Sequence, residues 1–306
     1  CTDNELETKR MKKRSEVLVF GMQCQRTALM LALLCASLTL VGQGFEKRFG
    51  GPKDDFGQAI LQTKDHGYIE VGSTNGVQGD DNDIDIFVVR TDVDGTVVWT
   101  RRYDEGFIEQ AEDVIQTSDG NYLVAGFRQA TANASEQTYL VQISRQGDIL
   151  FSKSFGEEGL NERGRQITRL PSEGYLITGY RKRAGSSRSD ILVTKVNEDG
   201  EKLWSSVIGG SFSSEGYGTI VNPDGSFIVG ANAQSSNNAL SDVALHGLDA
   251  SGEVQWSKYY GTDNRSEQLK KIIRTQDDHL VFVGSTDNSN KALIAKADLN
   301  GDTLWY

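Results

Sequence analysis

The feature that most constrains this chain is a short motif, present five times, in which a turn is followed by an apolar strand that ends on glycine. Its clearest copy is residues 118–126, SDGNYLVAG. The closing glycines are 54, 53, 51 and 54 residues apart in sequence. A period of this size is typical of repeated supersecondary units that stack on one another. These glycines are Gly72, Gly126, Gly179, Gly230 and Gly284.

Each repeat unit contains four short segments with strand character. An apolar pair such as Val114-Ile115 opens the first, the motif strand is the second, and residues 85–92, DIFVVRTD, exemplify the third. The fourth begins near an aromatic residue, after a turn in which glycine is expected to supply a positive φ. No segment longer than a turn shows helical periodicity after residue 44. The turn glycines are Gly95, Gly147, Gly200, Gly252 and Gly301.

Four strands in a unit of this length correspond to one blade of a propeller. We therefore predict an all-β fold, a β-propeller of about five four-stranded blades. A β-helix is the weaker alternative, because its coils are much shorter. The units fit either a closed five-bladed ring or a fragment of a larger propeller. The predicted repeat domain spans residues 45–306, with units of approximately 45–98, 99–150, 151–203, 204–255 and 256–306.

The N-terminal region is predicted to be a targeting segment. Residues 28–42 form an uninterrupted run of apolar or small residues, with Arg26 and further basic residues before it. This order is typical of a secretory signal peptide. Residues 1–44 are therefore assigned to upstream sequence and a signal peptide within residues 11–44. The run is short for a membrane span, and a retained anchor is the alternative. We expect no membrane span in the mature chain.

The charge balance excludes two classes of partner. The chain has 32 Lys and Arg against 43 Asp and Glu, a net charge of −11, and removal of residues 1–44 leaves −13. Nucleic acids and anionic membrane surfaces would repel so acidic a protein. All three cysteines precede residue 36, so the repeat region has neither a disulfide nor a thiolate metal site.

Several positions agree between the five units in both residue type and spacing. In the first unit they are Gly50-Gly51, Asp55, Ile60, residues 65–74, residues 85–88, residues 92–95 and Trp99. This pattern resembles the repeat of bacterial secreted β-propellers, which includes seven-bladed-propeller repeats and repeat arrays of type IX-secreted surface proteins. The resemblance covers residues 45–306 and implies an extracellular or cell-surface location, without implying a particular chemistry.

Two units depart from this pattern. The second has Asp104-Glu105 where Gly-Gly is expected, and the fifth has Asp278-His279 in place of Asp-Gly.

One acidic residue recurs five positions ahead of the apolar pair in every unit. In a propeller this segment would lie at the mouth of the central channel, where five carboxylates could hold a cation. The structural alternative is that each carboxylate accepts backbone hydrogen bonds at a blade junction and recurs because the blade recurs. These acids are the predicted binding residues: Asp55, Glu109, Glu162, Glu215 and Glu267.

Calcium is the one ion for which the sequence contains a partial binding motif. Residues 92–95 and 298–301 resemble the beginning of a calcium loop, but Tyr103 stands where the bidentate Glu of such a loop is required. The densest acidic cluster, residues 80–85, is interpreted as a solvated loop. We therefore expect no cofactor, with Ca²⁺ as the alternative.

The remaining candidates give no catalytic set. His66 and His279 lie in equivalent turns and His246 lies on a strand, so no triad, cysteine nucleophile or metal-binding histidine cluster emerges. The aromatic residues that open the motif strands are predicted to pack between blades. They are Tyr68, Tyr122, Tyr175 and Phe227.

The predicted function is that of an exported, non-enzymatic and monomeric β-propeller, a scaffold or binding module for protein or glycan at the cell surface. The alternative is a carbohydrate-active enzyme, a glycoside hydrolase or lyase, that uses the acids at the channel mouth. The predicted binding face carries the variable loops 73–83, 127–137, 180–189, 231–241 and 285–290.

Overall fold

The computed structural model describes residues 46–51, 54–75, 83–183, 185–234, 240–262, 264–286 and 290–305. The predicted signal peptide lies outside these residues. The chain divides into two compact units, Cys1–Lys47 and Arg48–Tyr306, and every described strand belongs to the second. Among the described residues, no helix has the length and apolar character needed to cross a membrane.

The described residues form twenty β-strands without a helix, which confirms the all-β prediction. The strands fall into five consecutive groups of four. The first two groups are β1 (Asp55–Gln62), β2 (Tyr68–Asn75), β3 (Ile84–Thr91), β4 (Val97–Tyr103) and β5 (Ile108–Gln116), β6 (Tyr122–Gln129), β7 (Gln137–Ile143), β8 (Ile149–Phe155). The other three are β9 (Leu160–Arg169), β10 (Tyr175–Arg183), β11 (Ser189–Val196), β12 (Lys202–Ile208); β13 (Ser214–Val221), β14 (Phe227–Gln234), β15 (Ser241–Leu248), β16 (Val254–Tyr260); and β17 (Gln268–Arg274), β18 (Leu280–Thr286), β19 (Lys291–Ala297), β20 (Thr303–Trp305).

Each group is an antiparallel meander closed by tight turns. In the second group β5 pairs with β6, β6 with β7 and β7 with β8. The turn glycines predicted before the fourth strands all adopt a positive φ; Gly95, for example, has φ 74°. The turn before the second strand has Gly120 in the second group. The equivalent residues of the first and fifth groups, His66 and Asp278, adopt φ values of 66° and 57°. The fifth unit's departure from the Asp-Gly pattern therefore keeps the same backbone turn.

The prediction of five separate blades is corrected to four sheets. The first two groups form one eight-stranded sheet, and each of the other three groups forms a four-stranded sheet. The two groups join because Ile84 of β3 pairs in parallel with Ile108 of β5. This single residue pair leaves both meanders intact.

The first strands of successive groups lie against one another in chain order. β1 contacts β5, β5 contacts β9, β9 contacts β13 and β13 contacts β17. Apolar side chains fill the space between neighbouring groups, as where Leu123 and Leu140 pack against Ile177. Tyr122 and Phe227 are buried as predicted. The core therefore lies between groups and holds their first strands side by side.

Described residues cover only one face of the last sheet, β17–β20. Its Phe282 packs in a core cluster shared with the preceding group. On the other face Val283 and Ile294 are 40% and 53% exposed, whereas the equivalent Ala125 and Leu140 of the second group are fully buried. Each group thus needs a neighbour on both faces to bury its apolar residues.

The glycine that closes the repeat motif is required by the close approach of two strands. A Cβ on Gly126 would overlap the carbonyl oxygen of Gln110, and a Cβ on Gly179 would overlap that of Arg163. The first and second strands of these groups therefore pass too close together for any other residue. This contact lies next to an irregularity in the first strand.

Candidate functional site

The five predicted acids occupy equivalent positions at the start of the first strands. Glu109 lies opposite Arg128, near the end of the second strand, and Glu215 lies opposite Asn232. The sequence predicts acids ahead of the innermost strand. In the structure Asp55, Glu109, Glu162 and Glu215 lie within β1, β5, β9 and β13, and Glu267 directly precedes β17. The variable loops after the second strands therefore begin close to these acids, although parts of loops 73–83, 180–189, 231–241 and 285–290 lie outside the described residues.

Glu109 is the most deeply buried of the five acids. Its side chain is 1% exposed, and Arg128 Nε donates to its Oε1 at 3.2 Å. Its Oε2 is buried without a hydrogen-bond partner among the described residues. Burial raises the pKa of Glu109 to about 7, although backbone hydrogen bonding and Arg128 favour the charged form.

The other four acids have different partners. Thr286 Oγ1 donates to Glu267 at 2.9 Å, and the Gly51 N–H donates to Asp55 at 2.7 Å. Glu215 accepts from Ser189 Oγ at 3.0 Å. Glu162 is buried, and this burial raises its pKa. Backbone groups hydrogen-bond to Asp55, Glu109 and Glu162, as the structural alternative expects. Glu215 and Glu267 instead accept from side chains.

Each first strand contains an extra residue that has no partner in the second strand. In β5, for example, Ala111 and Asp113 pair with Gly126 and Ala125, so that Glu112 between them is skipped. Such a β-bulge turns a side chain away from the regular alternation of the strand and is common beside active sites. The five bulge residues are Gln58, Glu112, Arg165, Tyr217 and Lys270.

All five bulge residues line a single cavity of about 560 Å³. Its volume falls in the range of small-molecule sites. None of the five repeated acids is among the residues described as lining it. The other lining residues neighbour the bulges: Ala59, Ile60, Asp113, Gln166 and Lys271.

Sequence reasoning missed this cavity because the bulge position differs in all five units. A search for recurring residues passes over a place occupied in turn by Gln, Glu, Arg, Tyr and Lys. The usable signal is the reverse, namely a position within a regular strand at which no two copies agree.

Some of the polar side chains around the cavity hold its wall together. Asp113 accepts the N–H groups of Val114 at 2.9 Å and of Ile167, in the next first strand, at 3.0 Å. Gln166 accepts the N–H of Thr219 in the same way. These residues connect one first strand to the next, so the cavity wall is continuous from β5 to β13.

Arg165 is also fixed in place. Its Nη2 donates to Glu215 at 2.8 Å, and its guanidinium carbon lies 4.7 Å and 4.2 Å from the ring centres of Tyr180 and Tyr217. Packing of a guanidinium between aromatic faces adds cation–π attraction to the ion pair. The arrangement holds both Arg165 and Tyr217 at the cavity wall.

The remaining charges of the cavity lie on two different strands. Lys270 and Lys271 of β17 are exposed, and within the described part of the chain neither side chain makes a hydrogen bond or a direct ion pair. The charge of Lys271 nevertheless acts on Asp113 of β5 and favours the ionised form of that carboxyl. Glu112 of β5 is half-buried, and burial raises its pKa against the opposing effect of Arg165. The cavity therefore presents an acidic wall and a basic wall.

A second acidic cluster lies outside the cavity. Asp83, Asp85 and Asp104 bring carboxylate oxygens within 4.8 Å of one another. Arg102 contacts all three, with Nη2 3.5 Å from Asp83 and 3.4 Å from Asp104 and with Nε donating to Asp85. The guanidinium supplies positive charge where a cation would bind. Residues 80–82 of the predicted acidic loop lie outside the described residues.

His246 has no acidic partner among the described residues. Its Nδ1 lies 2.8 Å from Ser257 Oγ, and its ring packs edge-on against Tyr259. Burial lowers its pKa to about 4, so the imidazole is neutral at neutral pH. A buried imidazole with so low a pKa is a poor general base.

No family model matches the chain, and no curated protein matches it. Among solved structures, PorZ, a surface component of the type-IX secretion system of Porphyromonas gingivalis, is 13% identical with a TM-score of 0.49, over 84% of this chain and 35% of its own. An endo-arabinase from Bacteroides thetaiotaomicron is 14% identical with a TM-score of 0.46, over 81% and 93%. A mannose phosphorylase from Leishmania mexicana is 11% identical with a TM-score of 0.45, over 90% and 95%. All three TM-scores are below 0.5, so these likenesses carry no conclusion about ligand or activity.

Proposed function

We propose that this protein is an exported, non-enzymatic β-propeller that binds protein or glycan at the cell surface or outside the cell. Its five groups of four strands are the blades, and the repeat domain spans residues 45–306. The observation that supports the proposal best is that the five first strands lie side by side and give one bulge residue each to a single cavity. Innermost strands around a common axis are the defining arrangement of a propeller.

The binding face in this proposal carries the loops between second and third strands. The loop of the second group, residues 130–136, is fully described and begins two residues after Arg128, the partner of Glu109. Loops held by a rigid sheet are common sites of recognition. The repeated acids, in this view, hold the blade edges from which the loops emerge. The protein acts as a monomer and needs no cofactor.

The alternative, a carbohydrate-active enzyme, draws on one observation. Glu109 has a pKa of about 7, the value that a general acid needs near neutral pH. A general acid must also reach its substrate, and the side chain of Glu109 is 1% exposed. Binding is therefore the better supported function.

One experiment distinguishes the two functions. The exported protein is incubated with a panel of surface polysaccharides, and both retention of the protein and release of reducing ends are measured. We expect retention without product, and loss of retention when residues 130–136 are replaced by a short Gly-Ser linker. Product that disappears in Glu109→Gln, Glu162→Gln or Glu215→Gln would support the enzyme instead. Retention that survives replacement of the described loops would refute the loop face.

A further inference from the structure

We propose that the cavity lined by the five bulge residues is a second binding site and that it binds a sugar carrying a single carboxylate, such as a hexuronate. The inference rests on the proposed function in that it treats the chain as a binding module. It differs from the loop face in place and in chemistry.

The bulge side chains are free of the constraint that the repeat imposes on other positions. The same backbone irregularity accepts Gln58, Glu112, Arg165, Tyr217 and Lys270, so the fold does not select the residue type. Five different side chains that converge on one cavity form an asymmetric surface inside a pseudo-symmetric protein. An asymmetric surface suits one small ligand in one orientation.

The basic wall selects an anionic group. Lys270 and Lys271 are adjacent in sequence, both line the cavity, and the chain as a whole has a net charge of −11. Both ammonium groups attract an anion that enters the cavity, and this attraction adds to the existing effect of Lys271 on Asp113. A carboxylate that accepts hydrogen bonds from both would gain from charge-assisted bonding.

The acidic wall limits how much negative charge the ligand carries. Glu112 and Asp113 line the cavity from β5, and a phosphate or sulfate with several charges would be repelled by them. Carboxylate and amide groups are good partners for hydroxyls, and Glu112 and Gln58 offer both. One carboxylate at the basic wall and several hydroxyls at the acidic wall describe a hexuronate.

The size and polarity of the cavity agree with this ligand. A volume of about 560 Å³ accommodates one or two sugar rings. Ala59 and Ile60 are the only aliphatic residues among those described as lining the cavity. A largely apolar ligand would leave the charged groups without partners, which is costly.

The test is calorimetric titration of the exported protein with D-galacturonate, D-galactose and inorganic phosphate. Galactose is the matched neutral sugar, since it has a hydroxymethyl group in place of the carboxylate. We expect galacturonate to bind at least tenfold more tightly than galactose or phosphate. Equal binding of galactose, or equal or tighter binding of phosphate, would overturn the inference.

Variants locate the site. Lys270→Gln and Lys271→Gln should each weaken galacturonate binding about tenfold, and together they should abolish it. Lys202→Gln, at an exposed lysine of β12, is the control and should leave the affinity unchanged. Thermal unfolding of each variant confirms that the fold is intact, and a folded double variant that still binds galacturonate would overturn the inference.

The two proposals fail in different ways. Replacement of residues 130–136 should leave galacturonate binding intact, because that loop is not among the residues described as lining the cavity. Polysaccharide retention without galacturonate binding overturns the cavity site and leaves the loop face standing. Galacturonate binding without polysaccharide retention overturns the loop face and leaves the cavity site standing.

Discussion

Two positions of the first strands, three residues apart in four groups and two residues apart in the fourth, follow opposite rules. At the first, every unit has an acid, and the acid of the second unit, Glu109, is deeply buried and accepts a hydrogen bond from Arg128. At the second, the bulge, all five units have a different residue type, and the side chains line a shared cavity. Recurrence within this chain therefore reports what a blade needs in order to fold, whereas variation reports where the blades differ in what they contact.

The largest effect is expected at the closing glycine, the strictest of the recurring positions. Gly126→Ala should lower the free energy of unfolding by about 4 kcal/mol, because the added Cβ overlaps the backbone of Gln110. Gly210→Ala is the control, since a Cβ there meets no atom within 4 Å. Urea denaturation measures both. A cost below about 1 kcal/mol for Gly126→Ala would show that the strands separate easily.

The recurring acid should make stability depend on pH. The pKa of Glu109 is raised from its ordinary 4.5 to about 7, so the folded protein binds a proton in this range that the unfolded chain releases. The stabilisation is complete below pH 4.5 and is lost as the pH rises through 7. As the pH rises from 5 to 8, the unchanged protein should therefore lose about 2 to 3 kcal/mol of its free energy of unfolding relative to Glu109→Gln.

Urea denaturation at four pH values between 5 and 8 measures this difference. Asp55→Asn is the matched control, because Asp55 occupies the same position in β1 but is only partly buried. An equal pH dependence in both variants would show that burial of Glu109 is not the cause.

Arg102 tests whether the acidic cluster of the first unit belongs with the structural positions. Arg102→Gln removes the positive charge beside the fully buried Asp85 and should lower the free energy of unfolding by about 2 kcal/mol. Arg101→Gln should have a smaller effect, because among the described residues Arg101 donates to the carbonyl groups of Thr100 and Gln146 and pairs with no carboxylate. Calcium should raise the melting temperature of Arg102→Gln only, and a chelator should leave the unchanged protein unaffected. A chelator that lowers the melting temperature of the unchanged protein would instead indicate a bound calcium ion.

The smallest effect on stability is expected at the bulge. Glu112→Gln and Lys270→Gln should each change the free energy of unfolding by less than about 0.5 kcal/mol, because neither side chain is needed to close the strand. The measurement is again urea denaturation. A loss above 2 kcal/mol in either variant would mean that the bulge residues serve the fold, and the contrast with the repeated acids would disappear.

Local rules made much of the fold predictable. The turn glycines and the apolar alternation of the second strands led to twenty strands in groups of four, and Phe227 packs between groups as expected. The join between the first two groups was not predictable, because it rests on the single pair of Ile84 and Ile108 across 24 residues. The cavity was missed because a bulge shifts the strand by one residue without leaving a recurring mark in the sequence.

The candidate site was predictable only in part. The position of the repeated acids follows from their spacing, and their closeness to the loops follows from hairpin pairing. Their different partners could not be foreseen, since they depend on long-range neighbours such as Ser189 for Glu215. Arg102, whose side chain contacts Asp83, Asp85 and Asp104, belongs to no recurring motif of the sequence.

The uncovered face of β17–β20 has a consequence for motion. A sheet that buries apolar residues on one face only has less free energy opposing its local opening than one packed on both faces. Amide hydrogens of β18 and β19 should therefore exchange with solvent sooner than those of β6 and β7. Lys270 and Lys271 belong to this same sheet, so the basic wall of the cavity lies on a sheet that we expect to open sooner than the second group. A ligand that contacts both lysines and Glu112 would connect that sheet to β5 and slow its opening. Ligand binding in the cavity would therefore make the C-terminal end of the described fold more rigid.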